Sequence, residues 1–302
     1  MGKKNESQRG YIEKHPEFFL ALSAIIWGTT FLIVKNAIKD CGVFPFLSLR
    51  FFIAFLLMMI FFYNKISIDF NSLKAAFVLG IFNFLAFSLQ TVALKFTLSS
   101  VVGLITGLYV IFTPFVAIFI LKRKVNIYNL IGAFLAFAGM YLLIGSGVQI
   151  HFGVGEILTL LCALAVAFHI SFTEIYARKY NIYTLVTFQF LFIALFSSLF
   201  VPFEKHQIRF SFNVIFALII TSVFATVFAY YVQTTAQKYI SATKTAIIYA
   251  LEPLSAGIFG IFVGEKLNLI QIVGGILIIK AMIISEVGDK IISKFSANRQ
   301  TP

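Results

Sequence analysis

A seven-residue pattern occurs twice in this chain, at residues 90–96 and again at residues 233–239. Both copies match Q-T-x-A-x-K followed by an aromatic residue, and both close a long apolar segment. The apolar segment that follows carries a central proline in each case, Pro114 or Pro253. Because nearly half of the 302 residues separate the copies, the pattern indicates a duplicated unit rather than a short-period solenoid.

The composition places this duplicated unit in a membrane. Apolar residues make up 60% of the chain and charged residues only 12%, and the mean hydropathy is +0.96. A soluble domain carries roughly 25% charged residues. A water-soluble chain of this size would need far more charge to cover its surface, so the composition excludes an ordinary soluble protein.

Ten apolar stretches follow one another along the chain, each close to the length of about 20 residues that crosses the hydrocarbon core. They are continuous rather than alternating, which excludes transmembrane β-strands. The sequence therefore predicts an all-α polytopic membrane protein. We place its ten transmembrane helices at 18–36, 46–63, 73–94, 99–121, 126–146, 155–176, 183–202, 212–236, 243–263 and 268–286.

The basic residues predict the orientation of these helices. Most of the 24 Lys and Arg residues fall on one side when the N-terminus is taken as cytoplasmic. By the positive-inside rule, both termini are then cytoplasmic in the cell (inner) membrane. The net charge of +12 follows from this topology and does not require a nucleic-acid partner.

The duplication divides the spans into two repeats of five helices, at 18–146 and 155–286, between cytoplasmic tails at 1–17 and 287–302. An odd number of spans places the second repeat upside down relative to the first. Inverted repeats build a site near the midplane and expose it to either side in turn. The architecture therefore favours a secondary transporter that works by alternating access.

Five short motifs, in order, carry a family resemblance. They are W-G-x-x-F at 27–31, Arg50-Phe51, the Q-T-x-A-L-K-F string at 90–96, G-L-x-V-x-x-x-P at 107–114, and L-E-P…G-E within 251–265. Together they resemble the EamA-type branch of the drug/metabolite transporter superfamily. The resemblance implies ten helices in two inverted repeats and a central cavity lined by the first four helices of each half.

The chain departs from the family pattern at several places. Lys122-Arg123-Lys124 replaces the G-E that the family has after the fourth span. Val166-Ala167-Phe168 stands in the sixth span where the first span has Trp27-Gly28-Thr29, and Gln189 stands where the first half has Arg50. The two ends of the cavity are therefore expected to differ chemically.

Polar and aromatic residues within the spans carry the predicted chemistry, because a polar group in lipid must face protein or water. His169 is interpreted either as a packed, hydrogen-bonded histidine or as a proton relay, and Trp27 as a cavity wall rather than an interfacial anchor. Arg50 either extends to the headgroups or attracts an anionic group of a solute. The predicted substrate-cavity residues are Trp27, Thr30, Asn83, Gln90, Thr106, Tyr109, His169, Tyr230, Tyr249 and Glu252.

Glu252 has two competing interpretations. The antiparallel tenth span carries Lys280 at a similar depth, so the two side chains are candidates for a structural ion pair that fixes the ninth helix to the tenth. Alternatively, Glu252 lies in the cavity and binds a proton or a cation. Both alternatives stay open at the level of sequence.

The two prolines are predicted gating elements. A proline within a span removes a backbone hydrogen bond and bends the helix. Pro114 and Pro253 occupy related helices, so each half carries one such hinge.

Enzyme chemistry finds little support in the sequence. Asp40, Asp69 and Asp289 fall outside the spans, and the four histidines stand far apart, so neither an intramembrane hydrolase site nor a metal site is expected. No phosphate-binding loop is present, and no cofactor is predicted. We therefore expect a transporter that is not an enzyme.

The leading interpretation is an exporter of an amino acid or a related small polar metabolite, with a proton or an exchange substrate as coupling partner. An importer of a vitamin or nucleoside-like cofactor, of the riboflavin or S-adenosylmethionine type, is the alternative, and a nucleotide-sugar exchanger is disfavoured by the few basic residues within the spans. A different class, a membrane scaffold or lipid scramblase, stays open. The monomer and the homodimer are equally compatible with the sequence.

Overall fold

The computed structural model describes residues 10–97, 99–122, 126–144, 153–204, 209–252, 254–255 and 268–298. All regular structure in these ranges is helical. The helices are α1 (Tyr11–Lys14), α2 (Pro16–Cys41), α3 (Val43–Phe62), α4 (Phe70–Ala93), α5 (Ser99–Thr106), α6 (Tyr109–Leu121), α7 (Ile127–Ile144), α8 (Val154–Ala177), α9 (Ile182–Phe200), α10 (Phe212–Ser222), α11 (Ala229–Ala236), α12 (Ala242–Tyr249) and α13 (Leu269–Asn298).

Within the described residues, seven of the predicted spans form helices long and apolar enough to cross a membrane. They are Pro16–Cys41, Val43–Lys65, Phe70–Ala93, Val101–Leu121, Val154–Ala177, Ile182–Phe203 and Phe212–Ala236. The predicted fifth and tenth spans appear as shorter apolar helices, Ile127–Leu142 and Leu269–Ser285. Much of the predicted ninth span, 243–263, lies outside the described residues. The protein is thus a helical multi-pass membrane protein, and the count of ten spans stays a prediction.

Polar caps fix where several of these helices begin. Asp69, Asn181, Ser211 and Ser241 each precede a helix, and each side chain accepts a hydrogen bond from the backbone N–H three residues further on. Such caps satisfy backbone donors that a helix start leaves unpaired. Between α2 and α3 the chain reverses through Gly42 alone, whose φ of +83° suits glycine.

The two halves of the chain interleave in the helix packing. Helix α7 packs along α13, α3 packs against α9, and α4 packs against both α8 and α9. Helix α2 packs against α10 and α11, while α6 packs against α8 and α12. Helices α7 and α13 cross so closely that a Cβ on Gly139 would lie 2.6 Å from the carbonyl oxygen of Gly274. Small residues permit this approach of helices in lipid.

Two large apolar clusters fill most of the interior of the described structure. One gathers Val110, Met140 and Ile247 between α6, α7 and α12. The other gathers Phe51 and Phe190, among others, between α3 and α9. Trp27 packs against both clusters and therefore marks the boundary between them.

Candidate functional site

A cavity of about 100 Å³ lies at this boundary. Its wall includes all ten residues predicted for a substrate cavity: Trp27, Thr30, Asn83, Gln90, Thr106, Tyr109, His169, Tyr230, Tyr249 and Glu252. They come from α2, α4, α5, α6, α8, α11 and the segment that begins with α12, so both halves contribute. That these residues contact a transported solute stays a prediction.

Helical spacing explains how α4 and α8 present their side chains to this cavity. Asn83, Phe87, Gln90 and Leu94 recur at intervals of three or four residues and share one face at the C-terminal part of α4. Cys162, Val166 and His169 repeat this spacing on α8. Phe87 and Cys162 were not predicted for the cavity, although their spacing from Asn83 and His169 was visible in the sequence.

Trp27 forms part of an aromatic wall. Its indole Nε1–H donates a 2.7 Å hydrogen bond to the carbonyl oxygen of Ala225. Its ring lies 4.8 Å from the ring of Tyr249 in a T-shaped arrangement and 5.7 Å from that of Tyr230. Edge-to-face contacts of this kind are favourable between aromatic rings. These contacts hold Trp27 against residues of the second half at the cavity.

The acceptor of this bond belongs to a π-helical segment, Val223–Phe228, that joins α10 to α11. Short π-helical turns within longer helices frequently occur at functional sites. Here the turn presents the Ala225 carbonyl and the Thr226 hydroxyl toward the first half of the chain. Nothing in the sequence of this stretch indicated the π geometry.

Arg50 reaches this same π-helical segment. Its Nε–H donates a 2.8 Å hydrogen bond to Thr226 Oγ1, and an Nη2–H donates a longer one, 3.4 Å, to the Ala225 carbonyl. The guanidinium lies 4.8 Å from the ring centre of Phe87 and 5.3 Å from that of Phe51. With 3% of Arg50 exposed, the side chain lies in the protein on the cavity wall and does not extend to headgroups.

Glu252 lines the cavity, whereas Lys280 lies on the exposed face of α13. Among the described residues no ion pair joins the two side chains. The described structure therefore does not show the predicted ion pair of Glu252 and Lys280. Similar depth in the membrane is not sufficient for contact between two side chains.

A hydrogen-bonded group lies on the α8 side of the cavity. Nε2 of His169 is 3.1 Å from Oε1 of Gln189, and the imidazole ring is 5.6 Å from the ring of Tyr230. The Tyr230 hydroxyl donates a 2.8 Å hydrogen bond to Oδ1 of Asn83. Gln189, which replaces Arg50 in the second half, thus serves as a partner of the histidine.

The structure describes one of the two predicted hinge prolines, Pro114. Pro114 lies buried within α6, and the chain between α5 and α6 is interrupted at Gly107 and Leu108. The Leu108 N–H bonds to the Ile105 carbonyl, so the helix tightens locally at the interruption. Pro253, the second predicted gating residue, lies outside the described residues.

Comparison with known proteins gives the family. The model of the EamA-like transporter family matches the chain twice, over residues 16–145 and 153–286. The chain belongs to the EamA-like transporter family. An uncharacterized transporter of Archaeoglobus fulgidus is 35% identical over 284 residues, which cover 93% of this chain and 89% of that protein. A second uncharacterized transporter of the same organism is 26% identical over 276 residues, or 86% of this chain and 93% of that protein.

A solved crystal structure shares the fold of this EamA-like chain. The two superpose with a TM-score of 0.75 at 15% sequence identity, over 90% of this chain and 97% of the other. At this identity the similarity establishes the fold alone.

At one end of the cavity in this EamA-like transporter, polar contacts join α8, α12 and the C-terminal end of α11. The buried carboxylate of Glu174 accepts a 2.7 Å hydrogen bond from the Ala242 N–H and lies 3.0 Å from a guanidinium nitrogen of Arg178. The side-chain amide of Gln237 donates to the Ile170 carbonyl. We refer to this group, formed by Glu174, Gln237 and Ala242, as the Glu174 end.

The opposite end has a second carboxylate at a helix start. Glu204 accepts hydrogen bonds from the backbone N–H groups of Val43 (2.9 Å) and Phe44 (2.8 Å) and from the Lys95 ammonium (2.5 Å). A Cβ on Gly42 would lie 2.9 Å from the carboxyl carbon, so glycine makes room for it. We call this group the Glu204 end.

The Glu204 carboxylate is stabilised in its charged form. Partial burial opposes ionisation, but the Lys95 hydrogen bond and the two backbone N–H groups outweigh burial and lower the pKa of Glu204. The two ends of the cavity thus share one device, a carboxylate at a helix N-terminus.

Proposed function

We propose that this EamA-like protein is a secondary transporter that moves an amino acid or a related small polar metabolite across the cell membrane by alternating access. The observation that carries the proposal is a cavity lined by both halves of the chain, with Arg50 and Glu252 among its lining residues. Export as the direction follows only from the family resemblance.

The charges and rings of the wall match a zwitterion. An amino acid carries an anionic and a cationic group, for which Arg50 supplies a positive charge and Glu252 a carboxyl group. Trp27, Tyr230 and Tyr249 offer aromatic surface for an apolar side chain. Few other common metabolites combine both charges in so small a molecule.

The size of the cavity favours this class over the alternatives. An apolar cavity of about 150 Å³ admits benzene. A cavity of about 100 Å³ therefore suits a solute with few heavy atoms. Riboflavin, S-adenosylmethionine and nucleotide sugars are several times larger than benzene and would require a much wider state.

The packing supports two related halves. In the two repeats α2 corresponds to α8, and α4 corresponds to α10 and α11. Exchanging the repeats therefore turns the packed pair of α4 and α8 into the packing of α2 against α10 and α11, which is also observed. The pairs α3–α9, α6–α12 and α7–α13 map onto themselves. A two-fold relation of this kind is what inverted repeats at 18–146 and 155–286 would produce.

With both termini cytoplasmic, the Glu174 end faces the cytoplasm and the Glu204 end faces outward. Gln233 near the Glu174 end is 1% exposed, whereas its counterpart Gln90 near the Glu204 end is half-buried. We propose that the described state is closed toward the cytoplasm and more open toward the outside.

Efflux from proteoliposomes tests the function. Vesicles with the purified protein are loaded with single radiolabelled amino acids, and saturable efflux above protein-free vesicles is the expected result. Glu252→Gln should lower this efflux, while the matched control Lys280→Gln, on the exposed face of α13, should preserve it. Flux of riboflavin or S-adenosylmethionine instead, or lipid scrambling without any solute flux, would replace the proposal with the corresponding alternative.

A further inference from the structure

Arg50 is a buried cation whose direct contacts are uncharged groups. Its polar partners are the Thr226 hydroxyl and the Ala225 carbonyl, and its other close contacts are the rings of Phe51 and Phe87. Within the described parts of the chain no carboxylate forms an ion pair with it. A buried charge is costly unless it is paired, so a cation left on a cavity wall points to an anionic ligand.

The guanidinium is held in a fixed orientation. The π-helical segment accepts hydrogen bonds from it through Thr226 and Ala225, and Ser222 donates a 3.1 Å hydrogen bond to the Arg50 carbonyl. These contacts use only some of the guanidinium N–H donors. The remaining donors stay available on a side chain that lines the cavity.

We infer that Arg50, oriented by the π-helical segment Val223–Phe228, binds the carboxylate of the transported solute. An Arg fork matches a carboxylate with two parallel hydrogen bonds. Arg50 is the only Arg or Lys among the described residues that line the cavity, so a monoanionic carboxylate matches its single positive charge better than a phosphate dianion does. The inference rests on the proposed function for the identity of the ligand, but the site itself is testable by binding alone.

The chain contains its own reporter for this site. Trp27 is the only tryptophan, and its indole N–H donates to the same Ala225 carbonyl that accepts from Arg50. A ligand that draws the guanidinium toward itself changes the surroundings of the indole. Tryptophan fluorescence of the purified protein therefore reports on the cavity.

The experiment titrates the purified protein with each proteinogenic L-amino acid and with its carboxamide, which retains the ammonium group but lacks the negative charge. We expect at least one acid to change Trp27 fluorescence and to bind about 10- to 100-fold more tightly than its amide, because a charge-assisted bidentate contact is lost in the amide. Arg50→Gln should abolish this preference. Arg50→Lys should restore only part of it, since an ammonium lacks the planar fork.

The matched control Lys280→Gln removes an exposed cation outside the cavity and should keep the full preference for the acid. Should Arg50→Gln fail to fold, Thr226→Val removes the acceptor that orients Nε while keeping the charge. That variant should reduce the preference several-fold, and an unchanged preference in it would overturn the inference.

Three other outcomes also reject the carboxylate site: an acid preference that survives in Arg50→Gln, the absence of binding by any amino acid, or tighter binding of inorganic phosphate than of every acid. Binding and flux separate the two claims. A preference for the acid that depends on Arg50, without solute flux, would support the carboxylate site and reject the proposed transport. Solute flux with a preference that does not depend on Arg50 would support transport and reject the carboxylate site.

Discussion

Glu174→Gln should weaken the contact that closes the Glu174 end of the cavity. The variant keeps the size of the side chain but removes the charge that accepts the 2.7 Å hydrogen bond from the Ala242 N–H. A hydrogen bond to a charged group contributes about 1.5–3 kcal/mol and one between neutral groups about 0.5–1.5 kcal/mol, so the contact loses about 1–1.5 kcal/mol. Arg178 adds little because its side chain is 41% exposed.

This loss should change the balance between the state that is open to the outside and the state that is open to the cytoplasm. If α8 and α12 separate when the cavity opens to the cytoplasm, the contact exists only in the state that is closed toward the cytoplasm, and the substitution weakens that state alone. The population open to the cytoplasm should then rise about tenfold, because about 1.4 kcal/mol corresponds to a factor of ten in an equilibrium constant.

Cysteine labelling measures the shift. The native Cys41 and Cys162 are first replaced by alanine, and a single cysteine is introduced at Thr234, which is 1% exposed beside the Glu174 end. Glu174→Gln should raise the rate of labelling from the cytoplasmic side about tenfold. The matched control is Glu156→Gln, because Glu156 also accepts a hydrogen bond at a helix start but lies at the opposite end of α8. A lower melting temperature with unchanged labelling would show that Glu174 stabilises the fold without controlling access.

Three further predictions concern orientation, the hinge and pH. Cysteines introduced at Lys95 and Lys238 should be labelled from outside and from the cytoplasm respectively, and labelling of both from one side would exclude the inverted repeat. Pro114→Ala restores a backbone donor within α6, so the melting temperature should hold or rise while turnover falls more than substrate affinity; wild-type turnover in reconstituted vesicles would argue against a hinge. Because the pKa of Glu204 is lowered in the folded protein, its ionised form stabilises the fold above the ordinary carboxyl pKa of about 4.3, and this stability is lost as the pH falls through the lower folded value. Glu204→Gln should therefore lower the melting temperature at neutral pH, and the difference from the wild type should shrink toward pH 4 and below; a difference independent of pH would contradict this account.

The sequence alone identified ten of the residues that line the cavity. In α4, the polar positions within an apolar span already share one helical face, so Asn83 and Gln90 could be assigned to the cavity without coordinates. The family motifs added Trp27 and Glu252. Spacing and the cost of polar groups in lipid together explain why these positions line the cavity, and their contact with a solute stays a prediction.

Other features depend on tertiary contacts that no local pattern encodes. In a membrane helix both the lipid-facing and the protein-facing sides are apolar, so the sequence of α13 did not show that Lys280 lies on its exposed face. The π-helical segment depends on partners from other helices, Trp27 and Arg50. Glu204 lies just beyond a span and reaches α3 only through the fold.

Solute counterflow tests the central claim most directly. Proteoliposomes are loaded with an unlabelled amino acid that passes the efflux assay, diluted into a trace of the labelled compound, and sampled over time. Alternating access at one cavity predicts a transient accumulation of label inside the vesicles, because each outward movement of unlabelled solute returns the site for inward loading. Label that only equilibrates, with the same time course in loaded and empty vesicles, would contradict alternating access and indicate a pore.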